Sequence, residues 1–107
     1  MIYKFKSKAS ADLIMLAATG EHMLQIVGKE ASARQGILTV AELPGAIQAL
    51  EAALAEHDAA RREAELEAAK QGLTLPAPGI TLRTRAWPFI EMLTKASKAS
   101  VDVTWGV

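Results

Sequence analysis

The stretch Ile2-Tyr3-Lys4-Phe5-Lys6-Ser7 decides how this chain is read. Tyr3 and Phe5 fall on one side and Lys4 and Lys6 on the other, the period-two alternation of a half-buried strand. The far end repeats the pattern. Val101-Asp102-Val103-Thr104-Trp105-Gly106-Val107 sets Val101, Val103, Trp105 and Val107 on one face. Between these ends the sequence reads mainly as helix. The expected fold is α+β: three or four helices packed on a small antiparallel sheet that pairs the N- and C-terminal strands. Two strands alone make a marginal sheet with open edges. Pairing with a second copy across a two-fold axis would extend it and bury more aromatic surface.

Moving inward from the first strand, Ser10 is placed to cap a helix. Leu13, Leu16, Met23, Leu24 and Val27 recur at helical spacing, with Gly20 on the same face. One helix over 11–27 is one reading. The favoured reading breaks it at Thr19-Gly20, because that pair is punctuation and Glu21 suits a new first turn. Gly28 reads as a left-handed stop. Ile37-Leu38-Thr39-Val40 is a short strand or an extended entry. Pro44 belongs in the first turn of the next helix. A capping box of Thr39 and Glu42 ranks second, since it would set Pro44 deeper.

From there Leu43, Ile47, Leu50 and Leu54 mark a strong helical stripe, and the long helix is expected over 44–71 with Gly72 as its stop. Leu66 is the only large apolar residue between His57 and Lys70, so that half reads as an exposed extension. Alanine propensity and the pairs Arg61–Glu65 and Arg62–Glu65 would support it. Residues 72–80 carry two prolines and two glycines and read as a flexible loop.

The last helix shows Leu82, Ala86, Phe89, Ile90, Leu93 and Ala96 on one face. With Thr84 as cap, Pro88 falls at the edge of the first turn; with Thr81, it lies inside the helix. One domain over 1–107 accounts for all of this. Its expected core is Tyr3, Phe5, Leu13, Leu16, Leu24, Val27, Ile47, Leu50, Leu54, Phe89, Ile90, Leu93, Val103 and Trp105.

Composition narrows the function. The chain has 107 residues and balances 12 Lys and Arg against 12 Asp and Glu. A dedicated nucleic-acid binder is usually basic. The charges are segregated, however. Lys4, Lys6 and Lys8 crowd the N-terminus, residues 42–67 are strongly acidic, and the C-terminal third leans basic. That contrast favours self-association or intramolecular pairing. The absence of cysteine excludes disulfides, thiolate metal sites and a cysteine nucleophile. No apolar segment follows the N-terminal lysines as a signal sequence requires, and the longest apolar run, Leu13–Ala18, is far shorter than a membrane span. A soluble, cytoplasmic protein is expected.

Several blocks carry a family likeness: Tyr3-Lys4-Phe5-Lys6-Ser7, Asp12-Leu13-Ile14-Met15-Leu16, Gly28-Lys29, Arg85-Ala86-Trp87-Pro88-Phe89-Ile90-Glu91-Met92-Leu93 and Val103-Thr104-Trp105-Gly106-Val107. The chain resembles, over nearly its full length, a bacterial family of small proteins filed as domain of unknown function 1840. The resemblance implies a small stand-alone bacterial protein. It brings no assigned activity, so no functional residue carries over from it.

No chemical motif stands out. His22 and His57 sit on different predicted elements, whereas a metal site needs three or four converging ligands. No serine lies in a nucleophile elbow, and Gly20-Glu21-His22 is not a phosphate loop. Glu63 and Glu67 face solvent four residues apart, without the burial that would raise a pKa for acid catalysis. No catalytic residue, metal or cofactor is therefore expected. The residues singled out for interaction are Lys4, Lys6, Arg83, Arg85, Trp87 and Glu91. The first reading is a non-enzymatic interaction or structural protein, acting as a homodimer or with another protein partner. The alternative is a nucleic-acid binder using the basic strand face with Arg83 and Arg85, where Trp87 would stack a base. A small-molecule or catalytic site around Arg85, Trp87 and Glu91 comes third. On the plain structural reading Lys4 and Lys6 are a solvated strand face, Arg85 pairs with Glu91 or a C-terminal group, and Trp87 belongs to the core.

Overall fold

Ile2–Ser7 forms β1 and places Tyr3 and Phe5 in the core while Ile2 and Lys4 stay exposed. The computed structural model describes residues 2–31, 33–76 and 81–106. Expectations that touch Ser32, residues 77–80 of the Pro/Gly loop, or Val107 lie outside the described residues. The elements follow in the order β1, β2 (Ser10–Leu16), α1 (Ala17–Ile26), β3 (Gly36–Leu38), α2 (Leu43–Lys70), α3 (Leu82–Ala99) and β4 (Val103–Trp105). The strands form one antiparallel sheet in the order β2-β1-β4-β3. The two ends of the chain pair side by side as expected, through Phe5 with Trp105 and Ser7 with Val103. They form the middle of a four-stranded sheet, not the whole of a two-stranded one.

The added strand β2 corrects the reading of 11–27 as helix. Its residues 10–16 return as a hairpin from β1, in a register that sets Tyr3 opposite Met15 and Lys4 opposite Ile14. The register shifts between Phe5 and Ser7, and the turn is tied by the Ala9 N–H donating to Ser7 Oγ at 3.2 Å. Ser10 therefore opens a strand and caps nothing. Met15 is buried, Leu13 is half-buried, and Leu16, expected in the core, is 73% exposed. The helix begins only at Ala17 and runs through Thr19-Gly20 without a break. Gly20 is tolerated inside it because the Tyr3 ring occupies the space of its missing side chain: a Cβ there would lie 2.5 Å from Tyr3 Cδ2.

All three helices end in the same left-handed stop. After α1, the Lys29 N–H reaches Leu24 O and the Gly28 N–H reaches Gln25 O. After α2, Leu73 and Gly72 make the same pair of bonds to Ala68 and Ala69. Both glycines have positive φ, as this motif favours. After α3 the pattern recurs with Val101 and Ser100 bonding Ala96 and Ser97, so Ser100 takes the left-handed position at φ 54°.

Helix α2 starts at Leu43 with Pro44 in its first turn, as the favoured reading has it. Thr39 is not its cap: Glu42 Oε1 accepts from the Thr39 N–H at 3.0 Å and ties the turn that precedes the helix. Helix α3 starts from Thr81, whose hydroxyl accepts from the Thr84 N–H at 3.2 Å; Thr84 is not the cap, and Pro88 lies inside the helix. The exposed flank of the helix carries Pro88, where water can serve the carbonyl that loses its partner.

The core lies on the sheet face that carries Tyr3, Phe5 and Trp105. The Phe5 ring meets Phe89 of α3 at 4.7 Å and Trp105 at 5.8 Å. The Tyr3 hydroxyl donates to Ala31 O and the Trp105 indole N–H donates to Ala33 O, so both buried polar tips are satisfied. Helix α2 packs across α3 and α1 through Leu43, Ala46, Leu50 and Leu54. Met15, Met23, Leu38, Met92 and Ala86 join the core beyond the expected set, while Leu13, Val27 and Ile47 sit at its margin. The second half of α2 leaves the body as an arm. The radius of gyration is 15.9 Å, against about 13 Å for a compact chain of this length. Beyond Gly72 the chain turns back, and Arg61, already bonded to Glu65 at 2.9 Å, donates to Pro76 O.

Candidate interaction surface

Among the described residues, the helices cover one face of the sheet and leave the other bare. The alternation that buries Tyr3, Phe5, Met15 and Trp105 turns Ile2, Lys4, Lys6, Asp12, Ile14, Leu16, Ile37 and Thr104 outward. Four of these are large aliphatic side chains with substantial exposure: Ile2 at 54%, Ile14 at 57%, Leu16 at 73% and Ile37 at 41%. Ile2 lies directly opposite Leu16 and Lys4 opposite Ile14, so three of the four aliphatics are neighbours across β1 and β2. Lys4 is partly offset by Asp12 on the same face, at 3.9 Å.

The six residues singled out from the sequence fall on two surfaces. Lys4 and Lys6 belong to the bare sheet face. Arg83, Arg85, Trp87 and Glu91 stand on the exposed side of α3, which packs against the opposite face through Phe89. The sheet separates them, so no single basic patch joins the strand lysines to the helix arginines. Arg83 is spent on Asp58 of α2 at 2.6 Å. Glu91 accepts from the Trp87 indole N–H at 3.1 Å rather than pairing with Arg85. Trp87 is 51% exposed and is not a core residue. His22 and His57 are exposed on α1 and α2. Among the described residues no three His, Asp or Glu side chains converge as a metal site would need.

Two further features escaped the sequence reading. A polar groove at the hairpin end is lined by Lys6, Ser7, Lys8, Val40, Asp102 and Thr104, where Asp102 accepts from the Val40 N–H at 2.9 Å. A second groove runs between β2 and α3, lined by Asp12, Leu13, Pro88, Glu91, Met92 and Lys95. The second was not legible without knowing that 10–16 is a strand. The Lys29 ammonium, at 2.7 Å, together with the Thr39 N–H, holds the Glu42 carboxyl down from 4.5 to about 2.

These features define a small α+β protein with a helical layer on one side of its sheet and an uncovered, partly apolar surface on the other. The chain belongs to the family described as domain of unknown function (DUF1840), which matches residues 1–105. No curated protein and no solved structure matches it. Among the described residues no helix is long and apolar enough to cross a membrane.

Proposed function

We propose that this chain is a non-enzymatic interaction protein that works as a homodimer, with the bare side of its sheet and the strand at its border as the working surface. One observation carries the reading: Ile14 and Leu16 of the border strand β2, with Ile2 opposite Leu16, are held out on a face that no described element covers. Isolated exposed aliphatics are ordinary, but a cluster on one regular surface is the mark of a contact region. The interior supports the same view. Among the described residues no polar or charged residue is buried. The Glu42 carboxyl is shifted downward, the opposite of what general acid catalysis uses.

Sedimentation velocity over a wide concentration range tests the reading. The parent chain is expected to sediment as a dimer that dissociates on dilution, and the double variant Ile14→Asp, Leu16→Asp as a monomer with unchanged circular dichroism. A parent chain that stays monomeric at every concentration overturns it.

A further inference from the structure

We infer that the second copy binds along the free edge of β2, antiparallel about a two-fold axis beside Leu13, so that the two sheets join into one of eight strands. The inference rests on the self-association proposed above and specifies its geometry.

The outermost strand on one side of the sheet is β2, and its seven residues pair only with β1. It lacks the usual edge protection. It has no proline and no lysine, and its single charge, Asp12, already faces Lys4 within the sheet. The irregular register is confined to the turn end, so Leu13-Ile14-Met15-Leu16 is a regular apolar edge. The opposite border, β3, has only three residues and offers much less.

Charge selects this mode over stacking of the bare faces. Stacking would take Lys4, Lys6 and Asp12 of both copies out of water between the two sheets, a desolvation cost that edge pairing avoids. Edge pairing leaves those lysines in water. It also brings in a second layer, because α3 runs beside β2. Pro88, Glu91 and Lys95 recur at helical spacing and line the groove against Asp12 and Leu13. A two-fold axis beside that stretch brings the α3 helices of the two copies together in opposite directions. Glu91 of one copy then meets Lys95 of the other, and the reverse holds across the axis. Centring the axis on Leu13 also sets Asp12 opposite Ile14 of the second copy and avoids an Asp12–Asp12 clash.

Charge reversal at exposed positions reads this geometry without disturbing the core. Glu91→Lys and Lys95→Glu each put like charges across the axis, and each is expected to weaken dimerisation about tenfold or more. An equimolar mixture of the two variants regains opposite charges at every contact and should form a heterodimer. A pair acting only within one helix cannot produce that rescue. Because the parent chain has no cysteine, a single Leu13→Cys variant reports the axis directly. Mild oxidation should link it as a dimer, because residues facing each other across antiparallel strands lie within disulfide reach. Lys4→Cys should not link. Cross-linking at Lys4→Cys but not at Leu13→Cys, or a dimer indifferent to both charge reversals, overturns edge pairing while leaving self-association intact. A monomeric parent chain overturns both.

Discussion

The Tyr3 ring rests directly on the backbone of Gly20, so closely that a Cβ on Gly20 would lie 2.9 Å or less from Tyr3 Cβ, Cγ and Cδ2. These atoms are the stem of a buried ring whose hydroxyl is tied to Ala31, and they have nowhere to retreat. Gly20→Ala gains up to about 1 kcal/mol of helix propensity. Overpacking of this kind costs about 1–3 kcal/mol. We expect a net loss of stability by urea denaturation. Gly45→Ala, in α2 with open space around it, should instead stabilise by about 1 kcal/mol or less.

Ser100 holds the left-handed position that Gly28 and Gly72 hold after the other two helices. An L-residue pays about 1–2 kcal/mol there, part of which glycine returns as entropy of the unfolded chain. Ser100→Gly is expected to raise the denaturation midpoint by the equivalent of about 0.5–1 kcal/mol. No change, or a lower midpoint, would count against the strained cap.

Glu42 predicts an acid limb in the stability curve. Its carboxyl falls from 4.5 to about 2 in the folded chain because Lys29 and the Thr39 N–H bond the ionised form. The folded value lies below the unfolded one. The contribution is therefore fully present above the unfolded pKa and is lost as the pH drops towards 2. Stability measured from pH 6 to pH 2 should fall less steeply in Glu42→Gln than in the parent chain. The pair is solvent-facing, so added salt should flatten the difference.

The arm of α2 should exchange its amide protons faster than the packed half. Leu43, Ala46, Leu50 and Leu54 anchor the first half, whereas between His57 and Lys70 only Ala68 is buried. Hydrogen exchange is expected to be slow through residue 54 and faster beyond it, with Arg61 as a local brake through Glu65 and Pro76. Arg61→Ala should cost no more than about 0.5–1 kcal/mol in global stability, since its contacts are exposed. Uniform protection along the helix would contradict a projecting arm.

The strand ends and the long helix were legible because each follows a single clean period. Tyr3 and Phe5 alternate with lysines, and Leu43, Leu50 and Leu54 repeat along one stripe of α2. Strand β2 was illegible for a physical reason. Both of its faces carry aliphatics, Leu13 and Met15 inward and Ile14 and Leu16 outward, so the period-two signal is erased. The exposed aliphatics Ile14 and Leu16 were missed for the same reason. Gly20 added to the misreading, since Thr-Gly looks like punctuation until the Tyr3 ring is seen to occupy the gap. Pro88 left the start of α3 open between Thr81 and Thr84; it lies inside the helix, on its exposed flank.

The two indoles occupy opposite extremes: Trp105 is 1% exposed and hydrogen-bonded to Ala33, while Trp87 is 51% exposed on α3. The chain thus carries a pair of native fluorophores in contrasting surroundings, one dry and one wet. Quenchers in solution will reach the wet one first. Trp105→Phe isolates an emitter that senses what approaches the helical side, and Trp87→Phe leaves one that dims or reddens only when the interior opens. Occupancy and unfolding can therefore be followed separately, by light alone, in a protein that needs no attached dye.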